Sequence, residues 1–304
     1  ALMHSSTPFL IALFIIACGL CILETAANPY STVLGPKESA AQRINLSQSF
    51  NGLGWILGPL AGGTLIFGTP EGDSSALTKP YILVGSIVLV IGILFFFTKL
   101  PEIKEDDEKT PVTENIPDKS IWKHRHFVLA VIAQFAYCAA QTGIFSFFIN
   151  YVVDDGWMNA RDASVVLSFG GLGLFMCGRF AGSWIMQRIC AEKVLLFCTI
   201  CTVITSLLLV LNLGMVSLIA LFLGYAFEAI MFPTIFALSL RGLGRHTKRA
   251  SSFLMMSPVG GAVGPLMMGY VADQTTMSFS FIVPLLSFMV VMLYAWRVNV
   301  AKSY

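Results

Sequence analysis

The sequence predicts an all-α membrane protein with about nine transmembrane helices. Three observations carry this prediction. The chain of 304 residues is 56% hydrophobic, and its mean hydropathy is +0.77. Charged residues make up only 12% of it, whereas a soluble domain has about 25%. The apolar residues are gathered in runs of about 20, the length that a helix needs to cross a bilayer. Runs this long and continuous exclude the strands of a membrane β-barrel.

The apolar runs divide the chain into two predicted bundles and a charged linker. We place the spans at 8–28, 44–67, 80–99, 126–152, 162–187, 193–212, 215–239, 251–272 and 279–297. The stretch 100–125 is rich in Lys, Asp, Glu and Pro, a composition typical of a linker rather than a folded domain. We therefore predict three spans over 1–99, a cytoplasmic linker over 100–125 and a six-helix bundle over 126–304.

The positive charges predict the orientation of the helices. Of the nineteen Lys and Arg residues, all but Lys79, Arg161 and Arg179 flank span ends on one side of the membrane, which makes sixteen. Cytoplasmic loops are enriched in Lys and Arg, so this side is predicted to be cytoplasmic. The first residue then lies outside and the C-terminus in the cytoplasm. No basic tract indicates a nucleic-acid partner.

The seven cysteines do not indicate a metal or redox site. Two C-x-x-C pairs, Cys18/Cys21 and Cys198/Cys201, lie in apolar runs without a nearby His, and a zinc or redox site needs such partners. We interpret them as small apolar residues within helices and expect no metal and no cofactor. No His/Asp set or Ser/His pair within the spans indicates an enzyme either.

Two sequence elements recur in the two predicted bundles. "ETAANPYSTVLG" from Glu24 and "EAIMFPTIFALS" from Glu228 share E-x-x-x-x-P at an offset of 204 residues. "LGWILGPLAGG" from Leu53 and "VGGAVGPLMMG" from Val259 share G-x-x-x-G-P-L-x-x-G at an offset of 206. The similar offsets indicate a repeat that aligns the first three spans with the last three. A design of two parallel six-span repeats then predicts that this chain corresponds to spans four to twelve of twelve.

Two carboxyl side chains fall within the spans and are functional candidates. A charged group at the centre of a membrane helix costs about 2.5–3.5 kcal/mol on insertion scales, so such residues are by default functional. We predict that Glu24 is the proton-coupling group, because a buried carboxyl can change its protonation state during a transport cycle; the alternative is a structural partner in an interhelical hydrogen bond. Asn28 lies one turn later on the same face and is predicted to bind substrate. Glu228 is predicted to bind substrate or, alternatively, to join helices.

Uncharged amides and aromatic rings form two further stripes. The residues that share a helix face are Asn45, Gln48 and Asn51 in the second span, and Gln134, Tyr137 and Gln141 in the fourth. Amides donate and accept hydrogen bonds as sugar hydroxyls require, and aromatic rings stack on the apolar faces of sugars. We therefore predict a sugar substrate bound by Gln48, Asn51, Gln134, Tyr137 and Gln141. The alternative is that these amides only join helices.

Several segments together resemble one transporter family. "GLCILETAANPYSTVLG", "RINLSQSFNGLGWILGPLAGG", "AQFAYCAAQT" and "FPTIFALSLRGLG" resemble the fucose permease family of the major facilitator superfamily. "GRFAGSWIMQR" is similar to the Gly/Arg/Arg loop motif of that superfamily. Its Arg179 is expected to pair with a carboxylate or with carbonyls, and Arg179 and Arg188 are predicted to stabilise a gate.

The resemblance implies a fold, a function and several site residues. It implies the major facilitator fold and proton-coupled uptake of L-fucose, glucose or galactose by a monomer in a bacterial inner membrane. It also implies a coupling carboxylate at Glu24 and sugar contacts from Gln48 and Asn51. The family uses an Asp and an Asn of its first span, which has no counterpart in this chain. The polypeptide alone is therefore predicted not to transport, whereas a full-length parent does.

Two alternatives to a sugar symporter stay open at this point. The first is an exporter or antiporter of small organic compounds with the same fold, which the G-P-L-x-G-G motif of the second span would suit. The amide stripes argue against it, since exporters favour larger apolar cavities. The second is an inactive fragment of the symporter itself.

Overall fold

The computed structural model describes residues 6–67, 75–98, 121–123, 125–243 and 246–301, and all regular structure in these ranges is helical. The α-helices of this described part are α1 (Ser6–Val33), α2 (Ala40–Phe67), α3 (Ser75–Phe97), α4 (Arg125–Asp154), α5 (Ala160–Val166), α6 (Leu172–Ile185), α7 (Ala191–Leu211), α8 (Met215–Glu228), α9 (Met231–Ser239), α10 (Thr247–Leu254), α11 (Gly260–Gln274) and α12 (Ile282–Ala301). The predicted all-α class is confirmed. Residues 100–120 of the predicted linker lie outside the described residues.

Each of the nine predicted spans falls on helical structure. Within the described ranges, seven continuous or composite helices are long and apolar enough to cross a membrane. The third predicted span coincides with the shorter apolar stretch Tyr81–Phe97 of α3, and the second coincides with α2, which has 28 residues. Helices are expected here because a backbone in hydrocarbon must satisfy all its hydrogen bonds internally.

Three of the predicted spans are interrupted rather than regular. A π-helical turn, Leu167–Gly171, joins α5 to α6. A short 3-10 segment, Ser257–Val259, joins α10 to α11. Between α8 and α9 the helix breaks at Ala229 and Ile230. Such irregular turns within a span occur where neighbouring helices satisfy the freed backbone groups.

The chain forms two compact units. One unit combines Ala1–Glu24 with Leu53–Glu114, and the other combines Thr25–Gly52 with Asn115–Tyr304. The second unit therefore contains the end of α1 and the first half of α2 together with α4 to α12. Its core is built on buried aromatic side chains such as Phe127, Tyr137, Phe148 and Phe281.

Within the second unit, α11 packs directly on the backbone of α4. A Cβ atom built on Gly264 would lie 2.0 Å from the carbonyl oxygen of Ala139, and one built on Gly260 would lie 2.3 Å from that of Phe135. Small residues permit this approach between membrane helices. The Gly-Pro element that the sequence repeats is therefore a packing surface in its second copy.

Candidate functional site

A chain of hydrogen-bonded amides joins the end of α1 to the first half of α2. Gln48 Nε2 donates to Asn28 Oδ1 at 2.9 Å, and Asn51 Nδ2 donates to Gln48 Oε1 at 3.2 Å. Asn28 and Gln48 are buried, whereas Asn51 is exposed at one end of the chain. At the other end, Asn28 Nδ2 donates to Met255 Sδ at 3.6 Å. Because a thioether is a weak acceptor, a ligand hydroxyl would satisfy this donor better.

Arg179 of α6 connects the amide chain to the break between α8 and α9. Its Nη1 donates to the carbonyl oxygen of Gln48 at 2.6 Å and to Gln48 Oε1 at 3.3 Å. Its Nε donates to the carbonyl oxygen of Ala229 at 3.1 Å. The guanidinium also lies 4.7 Å from the ring centroid of Phe175. Only 7% of Arg179 is exposed, so these contacts form a buried, charge-assisted connection between three helices.

The break between α8 and α9 follows from Pro233. A proline has no N–H, so the carbonyl four residues earlier, on Ala229, loses its helical donor. The Nε of Arg179 supplies a donor to that oxygen. The hydroxyl of Tyr137 donates to the neighbouring carbonyl oxygen of Glu228 at 3.0 Å. Side chains of α6 and α4 thus satisfy carbonyls that the bilayer interior would otherwise leave unpaired.

The side chain of Glu228 is fully buried beside two tyrosines. Its exposed fraction is 0%, and neither carboxyl oxygen has a hydrogen-bond partner in the described part of the chain. The hydroxyl of Tyr225, almost one turn earlier, is also buried and lacks a partner there. Both Tyr225 and Tyr137 lie within electrostatic range of the Glu228 carboxyl. Phe145 stacks on Tyr225 with ring centroids 4.9 Å apart.

Two other amides connect helices. Asn45 Nδ2 donates to Thr234 Oγ1 at 3.0 Å, which holds α2 against α9. Gln134 Nε2 donates to the carbonyl oxygen of Phe232 at 3.3 Å, which holds α4 against the same helix. Gln141 is half-buried one turn after Tyr137. The contact of Gln134 joins two helices, which is the alternative role that the sequence left open for these amides. Sugar contacts by Gln134 and Gln141 stay predictions.

Glu24 and Arg188 are the remaining predicted residues. Glu24 is half-buried in α1, one turn before Asn28. Arg188 is exposed after the end of α6, and its guanidinium lies 5.1 Å from the ring centroid of Trp184. The proton-coupling role of Glu24 and the gating role of Arg188 stay predictions.

Sequence reasoning missed several residues that the structure places in the network. In the sequence, Pro233 indicates a repeat but not the helix break that it creates at the carbonyl to which Arg179 donates. Thr234 follows Pro233 directly and is one of the polar residues of the repeated element that begins at Glu228. Tyr225 lies three residues before Glu228 on the same helix face, a spacing that was available as a signal. Met255 offered none, because a methionine in an apolar run is usually core.

Comparisons with known proteins agree with this architecture. The family model of the Major Facilitator Superfamily matches residues 1–257. A glucose/galactose transporter of Brucella abortus is 36% identical over 295 residues, which cover 94% of this chain and 70% of the relative. The L-fucose-proton symporter of Escherichia coli is 36% identical over 313 residues, with 95% and 71% covered. A crystal structure of the Escherichia coli fucose:proton symporter matches with a TM-score of 0.85 and 35% identity, covering 97% of this chain and 77% of that one. A second structure of that symporter, described as being in the outward conformation, also matches with a TM-score of 0.85, at 34% identity.

Proposed function

Since this chain belongs to the major facilitator superfamily and, within it, to the family of L-fucose-proton symporters and glucose/galactose transporters, we propose that it serves proton-coupled uptake of L-fucose or a related hexose. The sugar crosses by alternating access, in which a central site opens to one side of the membrane at a time. The coupling ion is the proton, and the transport cycle requires no cofactor and changes no covalent bond of the sugar.

The observation that carries the sugar proposal is the amide chain from Asn51 through Gln48 to Asn28. Its members are uncharged, so they suit hydroxyl groups rather than a carboxylate or an amine. One end is exposed, and within the described residues the donor at the other end has a sulfur acceptor and no oxygen acceptor. A sugar hydroxyl that replaced Met255 Sδ would give this buried donor an oxygen acceptor, which is the stronger partner.

Glu24 is proposed as the proton-coupling group. It lies one turn before Asn28 in α1, so the amide chain and the carboxyl belong to consecutive turns of one helix. Binding of the proton and binding of the sugar can then influence each other through the same short segment. The half-buried position supports this role, because a coupling group must exchange protons with water during the cycle.

The distribution of positive charge supports the proposed orientation. With the Lys- and Arg-rich side in the cytoplasm, the end of α1, the start of α2 and the end of α6 all lie on that side. Arg179 then connects α2 to the break between α8 and α9 on the cytoplasmic side of the site. We assign Arg179 and Arg188 to a gate that closes this side; the guanidinium of Arg188 lies over the ring of Trp184.

The remaining assignments follow from the same family relationship. We propose a monomer in a bacterial inner membrane, with helical bundles in 1–99 and 126–304 and a cytoplasmic linker at 100–125. The residue at position 1 would face the outside and the C-terminus the cytoplasm. Cysteines introduced near either end would check this orientation through their reaction with a membrane-impermeant reagent.

The experiment that tests the function is uptake of labelled sugar in proteoliposomes by the full-length parent, which is the form predicted to transport. L-fucose, glucose and galactose are supplied with and without an inward proton gradient. We expect accumulation of at least one sugar that depends on the gradient. Glu24→Gln should abolish accumulation and spare exchange of sugar, whereas Glu38→Gln, a matched change at an exposed carboxylate, should leave both intact. Uptake that is indifferent to the gradient would contradict proton coupling.

A further inference from the structure

The direction of the hydrogen bonds that join Arg179, Gln48 and Asn28 is fixed by their chemistry. A guanidinium can only donate, and its Nη1 lies 3.3 Å from the side-chain oxygen of Gln48, which therefore faces Arg179. The side-chain nitrogen of Gln48 then faces Asn28, whose Oδ1 accepts from it at 2.9 Å. This leaves the amide nitrogen of Asn28 to face Met255 Sδ at 3.6 Å. The amide chain therefore ends in a donor that meets a thioether.

The thioether of Met255 satisfies this donor poorly. Both side chains are buried, each with an exposed fraction of 5%, so the amide nitrogen of Asn28 has given up its contacts with water. Within the described residues it has received a sulfur acceptor in return, and sulfur is a weak acceptor. A buried donor with a weak partner keeps part of the cost of its desolvation. An oxygen atom at the position of Met255 Sδ would therefore compete successfully for it.

Met255 lies at the junction between α10 and α11. It follows Leu254, the last residue of α10, and precedes the 3-10 segment Ser257–Val259. Beyond this junction α11 is fixed to α4, because Gly260 and Gly264 pack against its backbone with no room for a Cβ atom. The contact with α1 is different in kind, since it is made by an unbranched side chain that can turn away without a backbone movement. Of these two contacts, a ligand can break the one that the sulfur makes.

We propose that Met255 is a built-in competitor of the sugar for the amide of Asn28. In the empty protein the thioether holds this donor and so links the α10–α11 junction to α1. A sugar oxygen that takes the donor displaces the thioether and releases the junction from α1. Because the sugar and the thioether exclude each other, loss of the Met255 contact raises the affinity for the sugar. This inference rests on the proposed transport function, to which it adds a link between sugar binding and release of the junction.

Three substitutions in the full-length parent test the competition by equilibrium binding of L-fucose, glucose and galactose. Met255→Leu nearly conserves the side-chain volume and removes the acceptor, so the affinity for the sugar that binds should rise about two- to fivefold, the lower part of the range for one hydrogen bond. Met255→Gln supplies an oxygen acceptor on a side chain of similar length, so the affinity should fall by about the same factor. Met256→Leu changes the neighbouring methionine, which is 63% exposed, and should leave the affinity unchanged.

The opposite signs of the two changes at position 255 separate competition from packing. A side chain that only packs against Asn28 would lose affinity for the sugar in both variants. A fall in affinity in Met255→Leu, or an affinity equal to that of Met256→Leu, would therefore overturn the proposal. If Met255→Gln does not fold, the comparison of the two leucine variants still decides.

A distance measurement tests the link between the junction and α1 in the absence of sugar. Spin labels are attached at Leu34→Cys and Val259→Cys, both exposed positions, in the full-length parent after its native cysteines are replaced by alanine. Met255→Leu should raise the ratio of long to short distances about two- to fivefold over the protein that keeps Met255, and an unchanged ratio would contradict the link. Failure of the transport proposal is separate, because it would appear as absent sugar uptake, while these distances are measured without sugar.

Discussion

Replacing Gly264 with alanine tests a close contact between the backbones of α11 and α4 in the second unit. The new Cβ would lie 2.0 Å from the carbonyl oxygen of Ala139, whereas close carbon–oxygen contacts in proteins lie at about 3.3–3.6 Å. The helices α4 and α11 must therefore separate by about 1.3 Å or more. No side-chain rotation can relieve the contact, because the opposing atoms belong to the backbone.

The expected net effect of Gly264→Ala is destabilisation. Overpacking of a membrane or soluble core costs about 1–3 kcal/mol, with higher values where the backbone has to move. Alanine regains about 1 kcal/mol of helix propensity over glycine, which leaves a net loss of up to about 2 kcal/mol. The first measurement is thermal unfolding in detergent, monitored by intrinsic fluorescence. The second is sugar uptake at a temperature where the protein is folded.

Two matched substitutions make the Gly264 experiment decisive. At Gly173, nothing lies within 4 Å of an added Cβ, so Gly173→Ala should be neutral or stabilise by up to about 1 kcal/mol. At Gly143, the nearest atom is Met268 Sδ at 2.6 Å, the flexible end of a side chain, so Gly143→Ala should cost less than Gly264→Ala. If Gly264→Ala unfolds at the same temperature as Gly173→Ala, the direct backbone packing of α11 on α4 is refuted.

Three further substitutions test other parts of the structure. Gln48→Ala removes the centre of the amide chain, worth about 1–2 kcal/mol per lost hydrogen bond, so sugar affinity in equilibrium binding should fall about five- to thirtyfold; unchanged affinity would exclude Gln48 from the site. Arg241→Ala removes the cation that pairs with Glu192, which is 2% exposed; we expect a loss of about 1–3 kcal/mol of stability, since Arg241 is itself partly exposed, and a large recovery when Glu192→Gln is added. An absence of recovery would show that loss of the Arg241–Glu192 pair does not cause the destabilisation. Asn212 has a positive φ of 44° and donates to Asp155 Oδ1 at 3.0 Å; Asn212→Ala should lower the unfolding temperature more than Asn212→Gly, which tolerates that backbone, and the reverse order would refute the conformational argument.

The spans were predictable from the sequence, but their interruptions were not. The apolar runs at 162–187 and 215–239 look continuous, and the bilayer forces any such run to be helical. The π-helical turn at Leu167–Gly171 and the break after Glu228 depend on what lies opposite. The break is stable because Arg179, distant in sequence, supplies a donor to the Ala229 carbonyl that Pro233 leaves unpaired, and Tyr137 donates to the neighbouring carbonyl of Glu228.

The grouping of the polar residues was predictable, but their partners were not. Helical periodicity places Asn45 and Gln48 on one face of α2, and both are buried. Nothing in that spacing distinguishes them further. Asn45 bonds to Thr234 and so joins helices, whereas Gln48 bonds to Asn28 and Arg179 and so lies at the centre of the network. Each partner comes from another part of the chain, and the choice is made by packing.

The sequence by itself determined that this protein is a helical membrane transporter with rare carboxyls and amides inside its spans. It did so because hydrocarbon imposes a length and a composition on every span, and because each polar residue there must serve a purpose. Only the tertiary structure decided that Arg179 donates to the carbonyl oxygens of Gln48 and Ala229, and that the Glu228 carboxyl is buried with no hydrogen-bond partner in the described part of the chain. Those outcomes depend on sub-ångström to ångström differences in how α2, α6 and α8 approach one another, which no local pattern encodes.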